Sequence, residues 1–224
     1  MKYYKYFIIS FLIIALDQFV KLWVHFTILP GEAGEIKMIG SWLKLHYILN
    51  EGMAFGLKLD TPYGKLILTL FRLIATAAIA YYIVYLVKKD NKTGLAWCVA
   101  LVLAGALGNV VDSTFYGVFL DNAPKDAITP WFHGKVIDMI YVDIWQGFLP
   151  EWLPLIGGSH VALWPIFNIA DASIFVGVFF MVIYQNRFFG KKEEVKESTE
   201  NIENANLENQ NPNTNSNTEI QTSL

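Results

Sequence analysis

The sequence predicts an all-α membrane protein with four transmembrane helices, a small extracytoplasmic β-rich cradle and a long second outer loop. Of its 224 residues, 54% are hydrophobic, and the mean hydropathy of +0.37 is high for a soluble domain. Four apolar segments approach the roughly 20 residues that a membrane helix needs. Positively charged residues flank these segments on one side of the membrane, which orients the chain.

The predicted spans cover residues 3–26, 66–87, 95–111 and 161–184. Lysines and arginines lie at the start of the first span, between the second and third spans, and after the fourth span. They are Lys2 and Lys5, Lys88 and Lys89, and Arg187. Because positive flanking charge marks the cytoplasmic side, we expect both termini in the cytoplasm. The two long connections then face outward.

The chain divides into a four-span membrane domain, residues 1–189, and a tail, residues 190–224. The tail is rich in Asn and Glu and contains no aromatic residue, so we predict a disordered, polar cytoplasmic segment. The formal net charge is −3, and no basic face indicates a nucleic-acid partner.

A short strand is predicted in the first outer loop. Residues 43–49 alternate Leu, Leu, Tyr and Leu with Lys, His and Ile, which mostly follows the period of two of a strand. A small sheet at the membrane surface follows from this pattern, and Asn50-Glu51-Gly52 would begin the next turn.

Polar residues of all four spans are expected to converge near the outer surface. They are Asp17, Lys21, Arg72, Asn109, Asp112, Asn168 and Asp171. Ionisable groups in hydrocarbon cost several kcal/mol unless they face one another, water or a substrate path. Individually, Asp17 and Lys21 could simply pair as i, i+4 neighbours. Together, the seven residues predict a shared polar pocket.

Asn168 and Asp171 are expected on one face of the fourth helix. Counted from residue 161 at about 1.5 Å per residue, they lie about 10–15 Å into that helix, with Pro165 in its first turn. In the third span, the small residues 104–106 and Gly108 would let a neighbouring helix approach closely.

Two carboxylates around a water favour acid–base hydrolysis. The second outer loop and its edge offer five partners for Asp171: Asp112, Asp121, Asp126, Asp138 and Asp143. Spacing does not choose among them, although the apolar stretch around Asp138 ranks it first by a small margin. The alternatives are a proton-coupled transporter that uses Asp17, Asp112 and Asp171 as a relay, and a membrane scaffold without catalysis.

No metal or cofactor is expected. The chain has no HExxH motif, and its four His residues have no ligand-like spacing. No glycine-rich phosphate loop precedes a helix.

Five stretches, in order, resemble the lipoprotein signal peptidases, or signal peptidase II, which are intramembrane aspartyl proteases. They are DQFVK from Asp17, NEGMAFG from Asn50, AGALGNVVD ending at Asp112, GKVIDM with Asp138, and FNIADA with Asn168 and Asp171. The resemblance covers roughly residues 16–189.

The resemblance implies that Asp138 and Asp171 are catalytic. It implies that five further residues line or brace the site: Asn50, Gly52, Asn109, Asp112 and Asn168. The implied substrate is a bacterial prolipoprotein, cut just before a cysteine that already carries diacylglycerol, at the outer face of the inner membrane. Prolipoproteins and membrane lipids are then the expected partners.

The chain departs from the family pattern in three places. Ser113 stands where members commonly carry Arg, and Arg72 is the candidate to supply that charge. Residues 117–134 and 143–164 form longer connections than usual, and Met53 replaces a common Ala.

Overall fold

The computed structural model describes residues 3–51, 61, 63–90, 93–154, 157–162 and 164–189. Contacts between Cα atoms divide the chain into one unit that ends at Ile183 and a second that begins at Tyr184. The described part of the second unit is a turn at Tyr184 and the short helix Gln185–Phe189. The predicted tail and Gly52 lie outside the described residues.

Three long apolar helices form most of the first unit. Helix α1 covers Tyr4–Thr27, α2 covers Gly64–Tyr85 and continues in a π-helical turn, and α3 covers Thr93–Val111. A second π-helical turn, Asp112–Tyr116, extends α3 into the single turn α4, Gly117–Phe119. The three extended segments are long and apolar enough to cross a membrane, which confirms three of the predicted spans.

Helix α5 covers only Ile169–Ile183 and corrects the predicted start of the fourth segment. Residues 160–162 form a strand instead of a helix. Phe167 then exchanges two backbone hydrogen bonds with Ile140, at 2.8 and 3.0 Å, and Pro165 lies before the helix. The 15 residues of α5 extend about 22 Å.

Asn168 caps α5, and this corrects the expectation that it shares a helix face with Asp171. The Asp171 backbone N–H donates to Asn168 Oδ1 at 2.8 Å, and the Asn168 N–H donates to Asp171 Oδ2 at 3.4 Å. This reciprocal pair has the geometry of a capping box. Asp171 therefore lies in the first helical turn, not two turns along a longer helix.

A three-stranded antiparallel sheet lies beside the helix ends. Its strands are β1 (Ile36–Ile39), β2 (Leu43–Asn50) and β3 (Val136–Val142), in that order. The strand predicted from the alternating pattern is confirmed as β2. Strands β4 (Gln146–Phe148) and β5 (His160–Ala162) form a separate pair.

The sheet is fixed to the helices by one apolar cluster. Tyr47, Ile137 and Met139 on one face of the sheet pack against Val24 near the end of α1 and Tyr116 beyond α3. Asp138 has the opposite orientation in β3, because successive side chains of a strand alternate between its faces. The core thus holds β3 in place, and Asp138 on the other face is free to contact Asn50 and Asn168.

Two glycines of α3 let α5 and α1 approach that helix closely. A Cβ atom at Gly105 would lie 2.0 Å from the carbonyl oxygen of Ala170, and one at Gly108 would lie 2.9 Å from Asp17 Oδ2. The predicted close approach along the small residues of α3 is confirmed. It brings the first turn of α5, with Asp171, against the last turns of α3.

The long connection after α4 folds back onto the helices. Asn122 exchanges two hydrogen bonds of 3.0 Å with the backbone of Lys135, and Thr69 of α2 donates to the Phe132 carbonyl at 2.9 Å. These hydrogen bonds fix the position of the chain where β3 begins.

Candidate active site

Asp138 is held at a buried position by two amides. Its side chain is 1% exposed. Asn168 Nδ2 donates to Asp138 Oδ1 at 2.7 Å, and Asn50 Nδ2 donates to Asp138 Oδ2 at 3.0 Å. Both oxygens therefore have a donor from a neutral group, which orients the carboxyl without adding charge.

Asp171 is oriented by a second set of amides. Asn109 Nδ2 donates to Asp171 Oδ1 at 2.8 Å, and the backbone N–H of Asn168 donates to the other oxygen. Asn168 Nδ2 also reaches Asn109 Oδ1 at 3.2 Å. Asn168 therefore contacts both acids, and the structure brings Asp138 and Asp171 to one site.

The two acids influence each other electrostatically. Burial raises the pKa of Asp138 to about 7, and the negative charge of Asp171 contributes to the rise. The hydrogen bonds from Asn50 and Asn168 act in the opposite direction. A carboxyl that keeps its proton to near neutral pH beside a second acid is the arrangement that acid–base hydrolysis needs.

A buried ionic cluster centred on Lys21 lies beside the two acids and is linked to them through Asn109. Lys21 Nζ is 2.8 Å from Asp17 Oδ2 and 2.7 Å from Asp112 Oδ2, and it donates to Asn109 Oδ1 at 3.0 Å. The Lys21 and Asp112 side chains are both 0% exposed. The Asp17–Lys21 pair that the i, i+4 spacing allows is present, and Asp112 completes a triad.

The triad ties four elements together. Asp17 Oδ1 accepts a hydrogen bond from the Ala170 N–H at 2.9 Å, and Asp112 Oδ2 accepts one from the Ile137 N–H at 3.3 Å. These are backbone groups next to Asp171 and Asp138. The triad thus fixes the chain beside each acid, while Lys21 orients Asn109.

Gln18 belongs to this cluster and was not predicted. Its Nε2 donates to Asp112 Oδ1 at 2.8 Å, and its Oε1 accepts from the Tyr116 hydroxyl at 2.8 Å. A polar amide next to Asp17 in an apolar helix was the available signal. The partner Tyr116 lies four residues after Asp112, beyond the predicted end of the third span.

Arg72 lies on α2, half-buried, and its charge interacts with Asp171. Ser113, at the position where the family pattern has Arg, is fully buried. Arg72, the candidate to replace the family arginine, thus lies on a different element from Ser113.

The other acidic candidates lie elsewhere. Asp121 and Asp126 are exposed in the connection after α4. Asp143 follows β3 and pairs with Lys44 Nζ at 2.8 Å, a hydrogen bond that lowers the pKa of Asp143. Among the residues that the structure describes, no group of three or more His, Cys, Asp or Glu side chains has a geometry that could hold a metal ion.

Comparisons with known proteins match most of the chain. The family model described as signal peptidase (SPase) II matches residues 9–187. A lipoprotein signal peptidase of Amoebophilus asiaticus is 44% identical over 200 residues, which cover 89% of this chain and 85% of that protein. A lipoprotein signal peptidase of Porphyromonas gingivalis is 34% identical over 209 residues, covering 86% and 89% of the two chains.

A solved structure has a similar fold. It is described as a bacterial membrane enzyme, and it superposes with a TM-score of 0.52 at 25% sequence identity. The superposition covers 81% of this chain and 92% of the other. The similarity therefore extends over nearly the whole of that enzyme.

Proposed function

The chain belongs to the signal peptidase II family, and from that premise we propose that Asp138 and Asp171 are the catalytic pair with which it removes signal peptides from diacylglyceryl-modified prolipoproteins. The observation that carries the assignment is Asn168, which donates to Asp138 through its amide and to Asp171 through its backbone N–H. A buried acid, Asp138, and a half-buried one, Asp171, are hydrogen-bonded to the same residue and are positioned to act on one peptide bond.

The pair hydrolyses the bond directly with water. Two carboxyls held close share one proton and titrate as a unit. The ionised one removes a proton from water as its oxygen attacks the scissile carbonyl carbon, and the protonated one donates to the carbonyl oxygen. When the tetrahedral intermediate collapses, the C–N bond breaks and the leaving amine takes up a proton from the pair.

The neighbouring residues hold the acids and the substrate. Asn50, Asn109 and Asn168 orient the carboxyls, and we assign Arg72 to the lining of the site. Gly52, which lies outside the described residues, is assigned there by the family resemblance alone. The triad of Asp17, Lys21 and Asp112 stabilises the chain beside the two acids, as the contacts of Lys21 indicate. These residues contribute position, and the chemistry rests on the two aspartates.

In the membrane, α5 is the fourth span and the catalytic pair faces the outer side of a bacterial inner membrane. The lysines and Arg187 at the opposite ends of the spans support this orientation, with both termini in the cytoplasm. The diacylglycerol of the substrate then stays among lipid tails, and the peptide bond before the modified cysteine reaches the acids. The relatives are named as peptidases, so they give no support to the transporter alternative.

The rate of cleavage is expected to fall as the pH rises through about 7. The raised pKa of Asp138 keeps the shared proton on the pair below that pH, and its loss leaves no acid to donate to the carbonyl. We would measure kcat/KM against pH with a diacylglyceryl-modified prolipoprotein in detergent. Asp143→Asn, which changes an acid at the far end of β3, should leave the profile unchanged. A rate that keeps rising well above pH 7 would contradict the assignment.

Removing residues 191–224 is expected to leave cleavage close to the wild-type rate. None of these residues belongs to the proposed site, and their composition predicts disorder. The truncated and full-length proteins would be compared in the same detergent assay, and a large loss on truncation would show that the tail takes part in the reaction.

A further inference from the structure

Lys65 connects the start of α2 to the end of β2. It is the second residue of α2, and its side chain is half-buried. Its Nζ donates a hydrogen bond to the backbone carbonyl oxygen of Glu51. Glu51 directly follows Asn50, where β2 ends. The ammonium group of Lys65 thus holds the backbone carbonyl of the residue that directly follows Asn50, which orients Asp138.

The position of Asn50 matters because its amide must reach a buried carboxyl. Asn50 pairs with Val136 at the end of the β2–β3 ladder, and Ile48 pairs with Asp138. Since alternate residues share a face, Asn50 lies on the same face of the sheet as Asp138. The last residue of a strand can fray, and a bond to the next carbonyl restrains it.

We propose that Lys65 is a positioning residue for the reaction, which holds the Glu51 carbonyl so that the Asn50 amide stays directed at Asp138. Lys65 acts through Asn50 and does not touch the acids in the described contacts. The proposal rests on the proposed function, because it requires Asp138 to take part in catalysis. It assigns a role to a residue of α2 that lies outside the motifs of the family pattern.

The chain offers a matched control for Lys65. Lys135 also approaches Glu51, with its Nζ 3.8 Å from the carboxylate oxygen Oε1. This contact involves the Glu51 side chain, not its backbone, and both partners are partly exposed. Such a pair is weak and does not restrain the backbone of β2. Lys135→Met should therefore keep the wild-type rate, although it removes the same charge near the same residue.

The test is a double-mutant cycle on the cleavage rate. Lys65→Met keeps the length of the side chain and removes its donor, and Asn50→Ala removes the amide that reaches Asp138. We expect each to lower kcat severalfold with little change in KM. The double variant should be no slower than Asn50→Ala alone. If Lys65 acts only through Asn50, the two substitutions remove the same contribution to kcat, and it can be lost only once. Lys65→Arg, which can still donate, should recover most of the rate.

The pH profile gives a second readout. The charged groups that act on Asp138 are Asp171 from α5 and Lys21 from α1, and neither is altered by these variants. The Asn50 hydrogen bond lowers the pKa of Asp138, so its loss raises that pKa. The alkaline fall in kcat/KM should move to higher pH in Lys65→Met and in Asn50→Ala by similar amounts, and stay in place in Lys135→Met.

Three results would overturn the proposal: a Lys65→Met rate equal to wild type, losses of Lys65→Met and Asn50→Ala that multiply, or an equal loss in Lys135→Met. Thermal unfolding in detergent identifies a variant that fails to fold, in which case Lys65→Gln takes the place of Lys65→Met. Asp138→Asn separates the two hypotheses. If it cleaves normally, the proposed function fails; if it is inactive while the Lys65 and Asn50 losses multiply, only the role of Lys65 fails.

Discussion

Asp171→Asn is expected to reduce prolipoprotein cleavage by about 10²- to 10⁴-fold, the range typical of a lost general acid or base. The amide is nearly isosteric, and its oxygen can still accept the hydrogen bond from Asn109 that Asp171 Oδ1 accepts at 2.8 Å. What it cannot do is take a proton from water or share one with Asp138. We would measure initial rates with a diacylglyceryl-modified prolipoprotein in detergent.

The control for this substitution is Asp143→Asn. Asp143 is an acid outside the proposed site, partly exposed and paired with Lys44. It lies just beyond β3, several residues from Asp138, and should retain the wild-type rate. A rate for Asp171→Asn within tenfold of wild type would show that its carboxylate does not carry the chemistry.

Lys21→Met is expected to lower the free energy of unfolding by about 3–5 kcal/mol, the cost of leaving a buried charge without its partner. The Lys21 side chain is 0% exposed, and two carboxylates lie within 2.8 Å of its Nζ. Without the ammonium group, Asp17 and Asp112 must stay buried as unpaired charges or take up protons. Thermal and denaturant unfolding in a fixed detergent would measure the loss.

Two comparisons identify the cause of that loss. Lys44→Met removes a lysine from the partly exposed pairs with Glu35 and Asp143, and should change stability little because water screens those charges. Adding Asp17→Asn and Asp112→Asn to Lys21→Met removes the unpaired charges, and should recover part of the stability. An unchanged stability in Lys21→Met alone would mean that the triad does not brace the fold.

Much of the architecture could be predicted from local sequence patterns. Long apolar segments predicted α1, α2 and α3, and alternation predicted β2, because both signals depend only on the residues within each element. The small residues of α3 predicted close packing, which Gly105 shows against Ala170. The five motifs predicted the family.

The start of α5 could not be predicted in this way. Residues 161–167 are apolar, and composition does not separate a helix from an extended chain over so short a stretch. The conformation at Phe167 depends on Ile140, which is distant in sequence and exchanges two backbone hydrogen bonds with it. That pairing moves the helix start to Ile169 and turns Asn168 into a cap that contacts both acids.

The contacts of the buried ionic cluster also could not be predicted from the sequence, because they join segments that are distant along the chain. The i, i+4 spacing suggested an Asp17–Lys21 pair, but only the packing of α1 on α3 brings Asp112 and Asn109 to Lys21. Gln18 and Lys65 have partners 94 and 14 residues away. Apart from the family resemblance, the sequence ranked Asp138 above four other acids by only a small margin, because it does not show which acid faces Asn168.

We propose that the two aspartates perform the chemistry and that other residues bind the substrate. The most direct measurement is the affinity of Asp138→Asn/Asp171→Asn for an intact diacylglyceryl-modified prolipoprotein, with its cleavage followed in the same sample. We predict binding close to that of wild type and no release of the signal peptide. Cleavage by the double variant, or a loss of binding as large as the loss of cleavage, would contradict the account.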